Sequence, residues 1–402
     1  MTARLSALVL DGGSGQSLAV ARKLGATGWR IVTEAGTRTA RSRFTTSAVA
    51  VPSTQDGPAE YMSSLEAISA GHAIDLVVPT NDLTLELCWS ASKRLGGARI
   101  FGGDRRAVET FLDKAAGIAA AERCGFPVPR TLIPATLEQV GAAAEEIGFP
   151  CVIKPRRSFV TSTTGIRHLR HVVVSTPEQA EAAAFALCDA DGAPPVVQAF
   201  VEGRAVAATF VVRDGRTFAR AVRETLSFWP VTGGMSVWKR SLPLDSPGVA
   251  EAERFLLAFG LEGLAEIEYQ LDGSDVPRLM EVGPRAHGWI PLAEASCPGL
   301  IETAATVAVG GEARELTEYR PGIEMRWLRG ELARTRFALR SSVDLPPGVS
   351  RGRVLRAGLP LWRPGMRYDI IDLGDPLPWL PRGAARLLRA AFGARRSART
   401  ES

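Results

Sequence analysis

Two glutamates restrict how the stretch Leu261–Trp289 can fold. It reads LEGLAEIEYQLDGSDVPRLMEVGPRAHGW, two strand-like segments, AEIEYQL and PRLMEVG, joined by DGSD. Asp, Gly and Ser favour a tight reversal, so the stretch predicts a β-hairpin. Pairing symmetric about Ser274–Asp275 sets Glu268 opposite Glu281 and Glu266 opposite Gly283. Carboxylates directly across a ladder stand about 5 Å apart and repel each other. A divalent cation between them relieves that repulsion, and Mg²⁺ takes one or two carboxylates together with phosphate oxygens. Arg285, just past the second strand, offers a planar fork of donors to a phosphate or carboxylate. From these residues alone, the competing reading is an exposed hairpin whose acids face water.

Composition sets the frame for that hairpin. A chain of 402 residues, 46% hydrophobic and 23% charged, holds two or three domains of ordinary globular character. The net charge of +5 comes without any aromatic-rich basic stripe, which excludes nucleic acid as the main partner and leaves room for a small anionic ligand. Cys88, Cys124, Cys151, Cys188 and Cys297 are far apart and contain no C-x-x-C. That pattern is neither a disulfide framework nor a zinc site, and it points to a reducing, cytoplasmic setting. No run approaches the roughly eighteen apolar residues of a membrane span, and the N-terminus lacks the features of a leader.

The chain opens with the apolar run SALVLD (Ser6–Asp11), a GGSG turn, the amphipathic SLAVARKLGATG and a second apolar run, WRIVT. This is the β–α–β start of a doubly wound sheet. Gly12, Gly13 and Gly15, with Glu34 about 20 residues on, resemble part of a dinucleotide fingerprint, but Leu18 stands where its third glycine belongs. A tight turn that needs glycine explains the same residues. Strands at AVAVP, IDLVVP and RIFGG, a helix around Tyr61–Ala70 and a helix capped by Thr80 or Asn81 complete an α/β unit over residues 1–105.

A helix from Phe111 to Gly125 then carries Asp113 and Lys114 in its first turn, an unfavourable place for a cation unless an anion is near. Lys154 ends the apolar strand FPCVIKP and likewise needs an anionic partner. Between Lys154 and His171 lies a loop rich in hydroxyls, with one glycine (Gly165) and the pair Arg156 and Arg157. His168 and His171 read as surface residues. Gln198, Phe200, Val201 and Gly203 follow in QAFVEG, and a D-G hairpin leads to Arg223. Gly233, Gly234 and Ser236 lie between Arg223 and Lys239. His287 and Trp289 begin a segment placed at the acceptor pocket, with packing favoured over a base role for His287.

These motifs resemble the ATP-grasp family from about residue 5 to 310. The carrying features are the two hairpin acids, the E-x-x-P-R string at Glu281–Arg285, the D-K pair and the hinge string. The resemblance implies an α/β protein: an N-terminal doubly wound α/β domain (1–105), a two-lobed α+β ATP-grasp domain (106–312) and a small C-terminal extension (313–402). It implies ATP and Mg²⁺ as cofactors, with the metal on Glu268 and Glu281. Lys114 would face the nucleotide phosphates and Lys154 the adenine and α-phosphate. Gln198, Phe200 and Val201 would form the adenine hinge, with Arg223 also on the ATP side, and Arg285 would stabilise the reacting charge. Three departures stand out. Gly283 replaces the Asn that helps hold a second Mg²⁺, and Glu266 opposite it is expected to supply the oxygen. Ala205 stands where a ribose-binding Glu is common, and the lid loop is poor in glycine.

The implied activity is ligation of a small-molecule carboxylate to an amine through an acyl phosphate. The rivals are a degenerate nucleotide-binding module without turnover, a phosphotransferase on the same fold and, weakest, a dehydrogenase. The assembly is left open between a monomer and a homodimer. The basic C-terminal tail, with Leu387, Leu388 and Phe392, is expected to be a solvated helix rather than a membrane-surface contact.

Overall fold

The computed structural model describes residues 4–380, apart from 56, 163–164, 190, 232–233, 341–349 and 359–364. The first unit runs β1 (Ser6–Val9), α1 (Gly15–Ala26), β2 (Arg30–Glu34), β3 (Ser47–Val49), α2 (Pro58–Gly71), β4 (Leu76–Val78), α3 (Asp82–Ala91) and β5 (Arg99–Ile100). Its strands are all parallel in the order β3-β2-β1-β4-β5, a doubly wound sheet as predicted. The helix starts follow from their caps: Ser14 accepts from the Ser17 N–H, and Asn81 accepts from the Thr84 N–H.

Two short helices, α4 (Arg105–Phe111) and α5 (Lys114–Arg123), lead into the next lobe. The sequence suggested one helix beginning at Phe111, but Asp113 caps α5 and separates the two. The lobe continues with β6 (Thr131–Leu132), α6 (Gln139–Ile147), β7 (Cys151–Lys154), β8 (Phe159–Ser162), β9 (Gly165–His168), β10 (Val172–Val174), α7 (Pro177–Leu187) and β11 (Val196–Ala199). Strands β10-β7-β11-β6 form an antiparallel sheet. Ile153 and Val197 pack beneath α6 and α7, so alternation turns Lys154 and Gln198 to the opposite face. The expected lid loop is a hairpin, β8 with β9, whose Phe159 joins the core of the first unit.

The remaining elements are β12 (Arg204–Arg213), β13 (Arg216–Trp229), β14 (Met235–Ser241), α8 (Val249–Phe259), β15 (Gly263–Leu271), β16 (Pro277–Gly283), α9 (Ile290–Ser296), α10 (Leu300–Ala308), β17 (Glu324–Arg326), α11 (Leu328–Leu339), α12 (Arg351–Gly358) and β18 (Arg367–Tyr368). They build a seven-stranded sheet, β16-β15-β12-β13-β14-β17-β18. Asp214 and Gly215 both take positive φ, as the D-G hairpin turn requires. Helix α8 covers one face of the sheet through Phe255, Leu256 and Phe259. On the other, α9 and α10 share a core with α1 and β1, so the first unit and the large sheet are packed together.

The β15–β16 pairing sets Glu268 opposite Glu281 and Glu266 opposite Gly283, as expected. The route to that register differs from the expected one. At the turn Leu271 faces Pro277, which centres the hairpin on Ser274. A bulge at Met280 then adds one residue to β16, and it is this bulge that brings the two glutamates face to face. The linker after β5 locks onto both ends of the hairpin. Leu264 N–H donates to Gly102 O, and Gly103 N–H donates to Pro284 O, both at 2.9 Å. Gly263, at φ +99°, lies so close to the Gly102 carbonyl that no side chain fits.

The C-terminal extension adds β17 and β18 to the large sheet. The strand expected at IIDL is a bend instead; β18 ends at Tyr368, before it. The basic tail and Gly233 lie outside the described residues. From Asp369 to Leu380 the chain returns to the first unit. There Asp375, 1% exposed, accepts from Arg22 Nε at 2.9 Å, Ser42 Oγ at 2.6 Å and Arg43 N–H at 2.9 Å. Removing one partner of a buried ion pair strands the other charge. Asp375→Ala is therefore expected to lower the unfolding free energy by about 3 kcal/mol in urea denaturation; a loss below about 1 kcal/mol would show that this strap carries no stability.

Candidate active site

The hairpin brings three carboxylates to one face of the sheet. Glu268 and Glu281 are half-exposed at its open edge, while Glu266 is buried. Each has a cationic neighbour. Arg223, from β13, donates to Glu268 at 2.8 Å and lies 3.7 Å from Glu266. Lys114 Nζ stands 4.0 Å from Glu281 and 3.3 Å from Ser158 Oγ. Asp113, whose carboxylate caps α5 and pairs with Arg156, fixes where Lys114 starts its helix.

Lys154 comes to the same place from β7. Its Nζ has Met280 Sδ, on the bulge, at 4.0 Å. The bulge therefore does two things: it sets the glutamate register and turns Met280 toward Lys154. Phe111, Ile118, Leu279 and Val282 form an apolar wall beside the two lysines and Glu281. Burial, and then the charge of Lys114, push the Lys154 ammonium down to about 8, against the pull of Glu281 and Glu268.

Arg285 is engaged differently from the sequence expectation of an open anion site. Its Nε pairs with Asp82, the first residue of α3, so the arginine ties the hairpin to the first unit. Burial opposes charge on both groups. The Arg285 charge outweighs burial at Asp82 and lowers its carboxyl, and Asp82 in turn raises Arg285. Nothing local in the sequence joins positions 82 and 285.

Glu266 sits opposite Gly283 as expected, and it accepts from Trp289 Nε1. Arg223 lies over the same indole, 5.6 Å from its centroid. Burial, and then repulsion by Glu268, push the Glu266 carboxyl up to about 8. His287 is buried, with Nε2 2.7 Å from Thr209 Oγ1 and its ring 4.5 Å from that of Trp289. Burial, and then Arg223, Arg285 and Lys239, hold it well below its ordinary range, so it is a neutral packing residue. Trp289 likewise belongs to the core, not to an open acceptor wall.

The remaining expected residues are less closely joined to this cluster. Gln198 shares a sheet face with Lys154 but donates to Thr131 Oγ1 at 2.9 Å. Phe200 is exposed and Val201 half-buried just beyond β11. Arg157, from the hydroxyl-rich segment, pairs with Glu86 of α3 at 2.6 Å. Glu34 accepts from the Gly12 N–H at 2.7 Å, which accounts for both residues as parts of the first turn.

The solved structures that superpose on this chain decide the fold. It is ATP-grasp. No family model matches the chain. The carbamoyl phosphate synthase large chain of Deinococcus deserti is 28% identical over 225 residues, 53% of this chain. This chain spans only 21% of that relative's length. Among solved ATP-grasp structures, the L-amino acid ligase of Bacillus licheniformis superposes with a TM-score of 0.62 at 15% identity, covering 80% of this chain and 78% of its own. The biotin carboxylase domain of Hydrogenobacter thermophilus 2-oxoglutarate carboxylase, a dimer with MgADP and bicarbonate, gives 0.62 at 14% identity, over 79% and 73%. Among the described residues no helix is long and apolar enough to cross a membrane.

The raised Glu266 carboxyl has a measurable consequence. Between its ordinary value of 4.5 and about 8 it holds a proton in the folded chain that the unfolded chain has lost. Its contribution to stability therefore falls as pH rises through that window. Glu266→Gln removes the effect, and should gain about 2–4 kcal/mol on the wild type between pH 5 and pH 8. Urea denaturation at both pH values reads this out, and parallel pH slopes would contradict it.

Proposed function

We propose that this ATP-grasp protein is an ATP-dependent ligase that joins a carboxylate to an amine through an acyl phosphate. The supporting observation is one sheet face on which Glu268 and Glu281 stand opposite each other, ringed by Lys114, Lys154, Arg223 and Arg285. Among the described residues no three His, Cys, Asp or Glu side chains gather to hold an ion by themselves. Two carboxylates with the remaining positions left to phosphate oxygens and water is a donor set that fits Mg²⁺. When bound, Mg²⁺ offsets phosphate charge and makes the γ-phosphorus easier to attack.

Glu268 and Glu281 would hold that ion, with Glu266 behind them in place of the side chain Gly283 lacks. Lys114 and Lys154 would take the nucleotide's phosphate oxygens. Gln198, Phe200 and Val201 would meet the adenine at the end of β11. A carboxylate oxygen of the acid attacks the γ-phosphorus, the bond to the β–γ bridging oxygen breaks, and ADP departs. Arg285 would stabilise the charge that develops on the transferred group. The amine then attacks the acyl carbon, phosphate leaves with the bonding electrons, and the amine gives up a proton. The five cysteines are free thiols, which supports a cytoplasmic setting for this small-molecule chemistry.

One observation favours a second reading, a nucleotide-binding module without turnover. Glu266 is held by Trp289 and Arg223, and its raised carboxyl favours the protonated form, a poor metal ligand. Titration calorimetry with ATP, in Mg²⁺ and then in EDTA, combined with hydroxylamine trapping across a panel of carboxylic acids, separates the readings. The ligase binds ATP only with Mg²⁺, loses about tenfold or more affinity in Glu281→Gln, and yields hydroxamate with ADP. Metal-dependent binding without hydroxamate or ADP for any acid would favour the module. A stable phosphorylated product would favour a phosphotransferase.

A further inference from the structure

Asp82 and Arg285 join the first unit to the hairpin, and each is held in place by the chain around it. Asp82 is 9% exposed and opens α3, whose start is fixed from the turn after β1. There Asp11, at φ +54°, accepts from the Thr80 N–H at 2.8 Å, from Asn81 Nδ2 at 2.5 Å and from Thr84 Oγ1 at 2.8 Å. On the other side, the Arg285 N–H donates to Gly283 O at 2.9 Å, and Pro284 O accepts from the Gly103 N–H. Gly283 is itself the ladder partner of Glu266. The ion pair is therefore drawn between two fixed points, one in each unit.

Only one edge of the guanidinium makes the contact. Nε donates to Asp82 Oδ1, and among the described residues no acceptor meets the two terminal amino groups. No carboxylate but Asp82, among those residues, lies within 4.0 Å of the side chain. That side chain is 20% exposed, against 11% for Asp82, and its terminal groups are not shut off from solvent. A carboxylate binds arginine best through two parallel N–H···O bonds. Here one bond is made, and the outer fork stays open beside the hairpin acids.

We propose that Asp82 is a positioning residue for the reacting end of the hairpin. It holds Arg285 by Nε and leaves the terminal amino groups set to receive the oxyanion of the group being transferred. The assignment deepens the ligase reading and rests on it only for what that oxyanion is. Arginine gives up much rotamer freedom on binding, and a guanidinium already held gives up less. The Asp82 charge cancels part of the Arg285 charge, so the pin adds nothing to the attraction of an anion in the ground state. Its benefit lies in geometry as charge moves, where a misplacement of about 1 Å costs about a hundredfold in rate. Because Asp82 belongs to the first unit, docking of that unit on the large sheet becomes a condition for reaction.

The full chain, labelled with ¹⁵N at arginine, tests the pin by NMR without any reaction. A guanidinium Nε–H held by a buried carboxylate is protected from exchange with water. One such signal is expected to vanish in Arg285→Lys and to lose its protection in Asp82→Ala. Inorganic phosphate should shift it in the wild type, through the terminal groups that phosphate meets. No protected signal lost in Arg285→Lys, or a signal blind to phosphate, would overturn the proposal. Hydroxamate kinetics read the consequence. Asp82→Ala should lower kcat by about 10- to 100-fold while KM for the acid moves by less than about threefold. Asp82→Asn, which keeps an acceptor for Nε, should recover part of that loss. In an Arg285→Ala background, removing Asp82 should cost little more, because it acts through Arg285. A loss carried by KM, or the same loss in both backgrounds, would contradict the assignment. Should Arg285→Ala fail to fold, the spectrum and the split between kcat and KM decide. A protected, phosphate-sensitive signal in a wild type without turnover would sink the ligase reading and leave the positioning of Arg285 standing.

Discussion

Like charges opposed across a β-ladder are the constraint around which this molecule is arranged. Glu268 faces Glu281, and Glu266 lies on the same face two residues away. A hairpin carrying this pattern needs positive charge from outside itself. It draws on every part of the fold: Arg223 from the next but one strand, Lys114 from a helix start, Lys154 from the smaller sheet. Arg285 completes the set from the hairpin's own end, but only with Asp82 of the first unit holding it. The lobes meet where the charges are.

That meeting requires backbone accuracy as well as charge. The bulge at Met280 sets which residues face each other, and Gly263 lets the linker after β5 pass against the strand. Hydrogen bonds from Leu264 and Gly103 then tie that linker to both ends of the hairpin. On the far side, the segment from Asp369 to Leu380 crosses from the large sheet back to the first unit, where Asp375 gathers Arg22, Ser42 and Arg43.

Much of this was legible in the sequence, for physical reasons that differ from element to element. The doubly wound sheet announced itself through short apolar runs alternating with amphipathic helices, one of them with a cap offered at Thr80 or Asn81; the Ser14 cap of α1 was not foreseen. The opposed glutamates were found through a turn centred one half-step from the true one; the unforeseen bulge compensated for the difference. Bulges leave little mark in a strand pattern, since one extra residue shifts alternation without breaking it. Long-range pairs were illegible: Arg285 with Asp82 and Trp289 with Glu266 join positions that only the fold brings together. Local pattern also favoured a loop for residues 156–170, where tertiary packing of Phe159 makes a hairpin. The ends of short elements went the same way, as with IIDL, where Ile370 is buried without strand pairing and Leu373 stays exposed.

In the proposed ligase the hairpin carboxylates and the nucleotide's phosphates would share one metal ion. Mn²⁺ in place of Mg²⁺ makes this directly visible by electron spin resonance. With ATP and the wild-type chain, the account predicts phosphorus hyperfine couplings from bound phosphates in a protein-held Mn²⁺ signal. In Glu268→Gln that protein-held signal should disappear, leaving Mn²⁺–ATP free in solution. An unchanged signal in the variant would contradict the account, and would place the metal somewhere other than the hairpin.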